Sequence, residues 1–253
     1  MNFAGVKSIY RFEMARSRRT LWQSLVAPVI TTSLYFLVFG TAIGSRMSAM
    51  GGVEYGSFIV PGLILLSVLT QSIFNASFGI YFPKFTGTIY EMLSAPISPF
   101  ELTLAYVGAA TTKACVLALV TLATATLFVD VSVAHPLLML ISLVTISAGF
   151  CMIGFVIGIW AKNFEQLQVV PLLVVTPLTF LGGVFYSVDA LGEPWRTVIQ
   201  LNPILYLVSG FRWTFFGTAD VPLVASVAVM AGAILIPLAL IAWIFRTGYR
   251  LKN

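Results

Sequence analysis

The polar side chains that could do chemistry in this sequence are few, and most lie inside apolar segments. Ser67, Gln71 and Asn75 recur every four residues through one such segment, and Thr176, Thr179 and Gly183 share a face of another. A helix stacks residues at that spacing on one side. Hydroxyls and amides so placed need partners where water is absent, so they either hydrogen-bond a neighbouring helix or line a wet path. Lys113 stands well inside a third apolar segment, at a cost on the order of 2.5–3.5 kcal/mol for a helix centre. It either snorkels to the headgroups past Gly108, Ala109 and Ala110 or serves as a functional charge. Nucleophilic catalysis lacks its parts: the single histidine, His135, is expected in a solvated turn beside Pro136, with no serine motif around it. Cys115 and Cys151 read as small buried hydrophobes and make no disulfide framework.

The elements that must position these groups are membrane helices. The chain is 59% hydrophobic and 9% charged, with a mean hydropathy of +0.98, whereas about a quarter of a soluble domain is charged. A hydrocarbon core about 30 Å thick takes roughly 20 apolar residues per helix. The 253 residues therefore hold six spans, at about 21–43, 57–82, 104–129, 136–161, 167–188 and 221–245, and leave no room for a soluble catalytic domain. The fold class is an all-α membrane protein forming one transmembrane domain over 1–253.

Residues 1–20 read as an interfacial amphipathic helix, with Lys7, Arg11, Arg16, Arg18 and Arg19 opposite Phe3, Val6, Tyr10 and Met14. Glu13 falls on its apolar side and calls for a polar partner. No removable signal peptide is expected. Gly154 and Gly158 give span 4 a small face for close helix approach, and Pro171 and Pro177 kink span 5. In 189–220 the apolar run after Pro203 is too short to cross and too apolar for water, which reads as a re-entrant outer hairpin.

With both termini cytoplasmic, the inner side receives Lys7, Arg11, Arg16, Arg18, Arg19, Lys84, Lys162, Arg246, Arg250 and Lys252. The outer side receives Arg46, Arg196 and Arg212. Ten against three is the bias that the positive-inside rule expects. The net charge of +5 is thus spent on topology; it forms no nucleic-acid groove, and the lipid bilayer is the partner it implies.

Between spans 2 and 3 lies a cytoplasmic stretch, 83–101. Read as a helix from about Gly87, it puts Phe85, Ile89, Met92 and Leu93 on one face, with Pro96 and Pro99 as stops. Its run Glu91-Met92-Leu93-Ser94-Ala95-Pro96-Ile97-Ser98-Pro99-Phe100-Glu101 resembles the cytoplasmic coupling helix of ABC-2 type permeases, the membrane subunits of ATP-binding-cassette exporters. The basic amino-terminal helix and the outer Leu201-Asn202-Pro203 and Gly210-Phe211-Arg212 signatures fit the same pattern. Ser57-Phe58-Ile59-Val60-Pro61-Gly62 and Pro177-Leu178-Thr179-Phe180-Leu181-Gly182-Gly183 look most like the bacterial YadH-type permeases within that family.

The resemblance implies a homodimer in the bacterial inner membrane carrying two cytoplasmic ATPase subunits. ATP and Mg belong to those partners; this chain has no Gly-x-x-x-x-Gly-Lys-Ser/Thr loop, so no cofactor and no enzyme activity are expected of it. The residues expected to couple to the ATPase are Phe85, Gly87, Ile89, Glu91, Met92, Leu93, Pro96 and Glu101, together with Glu13. The expected path lies between spans 2 and 5, lined by Ser67, Gln71, Asn75, Thr176 and Thr179, with Phe74, Phe78, Phe180 and Phe185 as apolar contacts. A path with almost no charge fits export of an amphipathic or hydrophobic cargo such as a drug, a lipid or a lipid-linked glycan. The rival reading is an ion-gradient-driven transporter or channel, which needs ionisable groups at mid-membrane; Lys113 alone qualifies, with no acidic partner in the spans.

Overall fold

The computed structural model describes residues 2–20, 22–44, 50 and 52–250; Leu21, Ser45, Arg46 and the tail residues Leu251, Lys252 and Asn253 lie outside them. Among the described residues the regular elements are helices, with one isolated bridge between Met50 and Val53. Helix α1 (Phe3–Arg19) is capped by Asn2, whose side chain accepts from the Gly5 amide at 3.0 Å. Arg16, Arg18 and Arg19 complement the dipole at its last turn. The stretch Ser24–Gly40 is bent by 81° from it and contains α2 (Ala27–Tyr35) between π-helical turns. Helices α3 (Tyr55–Phe58) and α4 (Val60–Thr86) follow, then the short α5 (Ile89–Ser94), α6 (Pro99–Ala125) and α7 (Pro136–Trp160). Next come α8 (Gln166–Val170), a π-helical turn Pro171–Val175, and α9 (Thr176–Phe180). Helices α10 (Trp195–Gln200), α11 (Pro203–Phe216) and α12 (Leu223–Thr247) complete the fold.

Among the described residues, four helical segments are long and apolar enough to cross a membrane: Tyr55–Thr86, Pro99–Ala125, Pro136–Trp160 and Leu223–Thr247. Counting α1 and Ser24–Gly40 as one bent span makes five. The expected fifth span stops short. Its helix covers Gln166–Phe180, about 22 Å at 1.5 Å per residue, where the sequence reading carried it to Val188. Pro171 and Pro177 withhold two backbone donors, and Gly183 then turns the chain at φ +79°.

Helix α4 is the central element, buried along nearly its whole length, and α7 lies against it. The approach is close because α7 presents glycine: a Cβ at Gly154 would sit 2.3 Å from the Ile73 carbonyl oxygen, and one at Gly158 would sit 2.4 Å from that of Ser77. Both contacts are backbone to backbone, so nothing flexible can give way.

The stretch 83–101 is not one helix. Phe85 belongs to the last turn of α4, which ends at Gly87 in the left-handed region, φ +79°. Pro99 does not stop a helix; it opens α6 at N1, behind a capping box in which Ser98 and Glu101 satisfy each other's backbone amides. His135 is also less solvated than a loop reading expects, since its ring stacks on Trp213 at 4.7 Å and its amide donates to the Thr214 carbonyl.

Replacing Gly154 by alanine should lower unfolding stability by about 1–3 kcal/mol through overpacking. Gly232→Ala, where a Cβ meets nothing nearer than 3.9 Å, should not, in the same denaturant titration of the purified chain.

Candidate functional site

The polar stripe of α4 opens onto a cavity of about 670 Å³. Its walls are α4, the Ala27–Tyr35 segment, the first half of α6, the broken helix that starts at Gln166, and the last turns of α1. Of the residues expected to line a path, Ser67, Gln71, Asn75, Phe74, Phe78, Thr176 and Phe180 meet here. Two do not. Thr179 is fully buried and donates back to the Val175 carbonyl at 2.6 Å. Phe185 packs among Tyr35, Phe39 and Phe180 outside the cavity wall. The break in the helix matters locally: the Thr176 hydroxyl bonds the Pro171 carbonyl at 2.9 Å, so a cavity-lining hydroxyl stabilises the π-helical turn around the prolines.

One end of this cavity is charged, contrary to the nearly uncharged path that the sequence implies. Glu13, Arg16 and Lys113 all line it. Arg16 Nη2 lies 2.5 Å from Glu13 Oε2, and its guanidinium sits 5.2 Å from the centre of the Phe78 ring. Lys113 Nζ donates to Asn75 Oδ1 at 2.8 Å. The lysine therefore does not snorkel past Gly108 to the headgroups. Helix α1 covers that side, with Tyr10 bonded to Thr112 at 3.0 Å and lying 3.9 Å from where a Gly108 Cβ would be. Gly79 lies beside the ion pair: a Cβ there would stand at ordinary contact distance, 3.6 Å, from both Arg16 Nη2 and Glu13 Oε2.

Glu13 is only 5% exposed. Burial pushes its carboxyl up to about 7, against the pull of Arg16 and Lys113, which favour the charged form. Its place on the apolar side of α1 is explained by this cluster and not by an outward contact. The acidic partner that Lys113 lacks in the spans is on the interfacial helix. Two off-pattern ionisable residues of opposite sign, one in each element, were the available signal; Thr70, which also lines the cavity, carried none.

The residues expected to couple divide by exposure. Ile89 is buried, while Met92 and Leu93 are half-buried against the same core, with the Tyr106 hydroxyl 3.3 Å from Met92 Sδ. Phe85, Tyr90, Glu91, Pro96 and Phe100 face outward. Gly87 is the turn between α4 and α5. Glu101 is 4% exposed and ties the segment to α1: its Oε2 accepts from the Ser98 amide at 2.7 Å and its Oε1 accepts from the Asn2 amide. The Asn2 side chain in turn donates to the Pro96 carbonyl at 3.2 Å.

A family model described as ABC-2 type transporter matches residues 5–216. The inner membrane transport permease YadH of Escherichia coli (strain K12) is 39% identical over 241 residues, which is 95% of this chain and 94% of that protein. Nodulation protein J of Rhizobium leguminosarum bv. trifolii is 23% identical over 237 residues, 91% of this chain and 88% of that protein.

The raised Glu13 carboxyl gives the fold a pH dependence. The native state holds this proton more tightly than the unfolded chain, so the contribution is fully present below the ordinary 4.5 and is lost as pH rises through about 7. Denaturation midpoints should therefore carry a component falling between those values that is missing in Glu13→Gln; equal slopes in the two proteins would contradict the assignment.

Proposed function

The chain belongs to the ABC-2 type transporter family, and from that premise we propose that it is the permease of an exporter driven by separate cytoplasmic ATPase subunits. As the family's membrane subunit it is a transport component. The observation that carries the finer reading is the shared helix α4: its middle lines the polar cavity, and its end leads directly into the exposed turn of α5.

In this reading the chain crosses the membrane six times. Ser24–Gly40 supplies the first crossing, the proline-broken Gln166–Phe180 helix together with the chain that follows it to Val188 supplies the fifth, and 189–220 forms a re-entrant hairpin on the outer side. Both termini are cytoplasmic, as the charge bias supports, and the membrane is the bacterial inner membrane, as for the YadH relative. Two copies form the permease, which buries polar cavity walls that one copy leaves open. The partner subunits bind ATP and Mg and press on the outward residues of the coupling segment, Phe85, Tyr90, Glu91 and Pro96. Ile89, Met92 and Leu93 pass the load to the core, and Glu101 passes it to α1. The cavity around Ser67, Gln71, Asn75 and Thr176 opens outward in response, releasing an amphipathic or hydrophobic cargo such as a drug, a lipid or a lipid-linked glycan.

A second reading, an ion-gradient-driven transporter without an ATPase, is favoured by one observation, the buried Glu13–Arg16–Lys113 cluster. It is the outcome to accept if the chain alone moves solute down a proton gradient and no ATPase copurifies.

In the copurified complex, Glu91→Arg should keep the subunits together yet abolish substrate-stimulated ATP hydrolysis. Gln71→Leu with Asn75→Leu should keep basal hydrolysis and lose the stimulation. Unchanged stimulation in the double variant would remove both residues from the path.

A further inference from the structure

The cavity is charged at one end only. Along α4, the charged cluster sits at the level of Asn75 to Gly79, while the wall toward Leu66 carries no charge: the Ser67, Thr70 and Thr176 hydroxyls and the Gln71 amide stand there among Leu66, Tyr35 and Phe180. From Leu66 to Phe78 is twelve residues of helix, about 18 Å at 1.5 Å per residue. That length matches a head group with a medium hydrocarbon chain. The charged end lies nearer the α5 side of α4, and the uncharged end lies deeper along it.

The donors at the polar end exceed their acceptors. Arg16 gives one nitrogen to Glu13, but its Nη1 is buried with no partner among the described residues. Lys113 has three N–H donors, and the acceptor it has among the described residues is a neutral amide, Asn75 Oδ1. Two cations therefore face one carboxylate. Glu13 does not cancel the excess, since its Oε2 is already held by Arg16, while its buried Oε1 has no donor among the described residues; in the protonated form this carboxyl donates too. Arg16 is held in place between Glu13 and the Phe78 ring, which suits it to a fixed oxyanion.

We propose that this cavity receives an amphiphile with a single anionic head, a phosphate or a carboxylate, which binds between Arg16 and Lys113 while its hydrocarbon chain runs along α4 toward Leu66 and Tyr35. The assignment deepens the exporter reading by naming the cargo's class, and it rests on that reading only for the direction of movement.

The test is equilibrium binding to the purified full-length chain in phosphatidylcholine nanodiscs without nucleotide. The probes are three amphiphiles of one chain length, dodecyl phosphate, dodecyltrimethylammonium and dodecyl maltoside, with inorganic phosphate as a fourth. Dodecyl phosphate should bind at least about tenfold more tightly than the other two chains, the worth of one charge-assisted hydrogen bond. Lys113→Met and Arg16→Gln should each remove most of that preference, and Lys113→Glu should turn it toward the ammonium. Lys7→Met, an exposed cation on the same helix, should leave it intact. Equal binding of all three amphiphiles by the wild type overturns the proposal whatever the variants do. So does an equal loss in Lys7→Met, which would mean attraction to the basic surface, or competition by inorganic phosphate at the concentration of the amphiphile, which would mean a free-anion site. No ATPase enters the measurement, so a failure of coupled hydrolysis would sink the exporter reading and leave this result standing.

Discussion

The backbone contact between α4 and α7 is the constraint from which the rest of the molecule takes its position. With lipid on the outside, helices gain little from excluding water, so close van der Waals packing must hold them. Glycine at 154 and 158 removes the only atoms that would keep the two backbones apart. The same device recurs on the next side of α7, where a Cβ at Gly149 would meet the Ala233 carbonyl oxygen of α12 at 2.6 Å. Helix α4 is thereby fixed on one side and free to present Ser67, Gln71 and Asn75 on another. A cavity wall needs such a backing, because polar side chains can line an open space only if the helix that bears them is held from behind.

A second requirement follows from the broken helices. Every carbonyl released by a proline, a glycine or a helix end must find a donor where water is scarce. The donors come from far along the chain. Lys84 donates to the Ile159 carbonyl at the end of α7 at 2.7 Å, and Tyr81 reaches that of Lys162 at 2.9 Å. Asn202 caps α11 through the Ile204 amide and also donates to the Leu178 carbonyl of α9 at 2.6 Å. Arg212 is 2% exposed; it donates to the Gly183 carbonyl at 2.5 Å, pairs with Asp220 at 2.5 Å, and lies over the Phe58 ring at 3.9 Å. The Leu-Asn-Pro and Gly-Phe-Arg signatures are thus joints: each closes the gap that the proline-broken helix leaves behind. Burying a charge of this kind is tolerable because it is paired and bonded on several sides.

This explains which features were legible in the sequence. Apolar length and the small face of α7 follow from local pattern, and so does the α4 stripe, because a period of four survives any tertiary arrangement. Thr176 and Phe180 were placed on the right wall for the same reason. The misread features are those decided between elements. Thr179 lies three residues from Thr176 in α9, about 60° around the helix, and that offset is enough to turn it from the cavity into the packed side, where it is buried. Pro99 reads as a stop or as a first-turn residue equally well, and only Ser98 and Glu101 around it select the second. Arg212 counts as an outer charge in a topology sum although it is an interior one. Lys113 was read without a partner because the search was confined to the spans, while its acid arrived on a helix lying outside them.

Helix α1 then has a double attachment that neither end alone would imply. Its first residues are bound to the α5–α6 junction: Asn2 to Glu101 and Pro96, and Gly5 so near Ile97 that a Cβ would come within 2.9 Å of that side chain. Its later turns carry Glu13 and Arg16 into the cavity. Between them runs one continuous helix with its backbone hydrogen bonds intact, which is stiff over so short a length. A displacement of the α5–α6 junction must therefore either move the cavity's cation relative to Lys113 or break the contacts at Asn2. Glu101 is itself buried, and its bonds to the Ser98 and Asn2 amides make it the link between this junction and the helix that carries Arg16 to the charged end of the cavity.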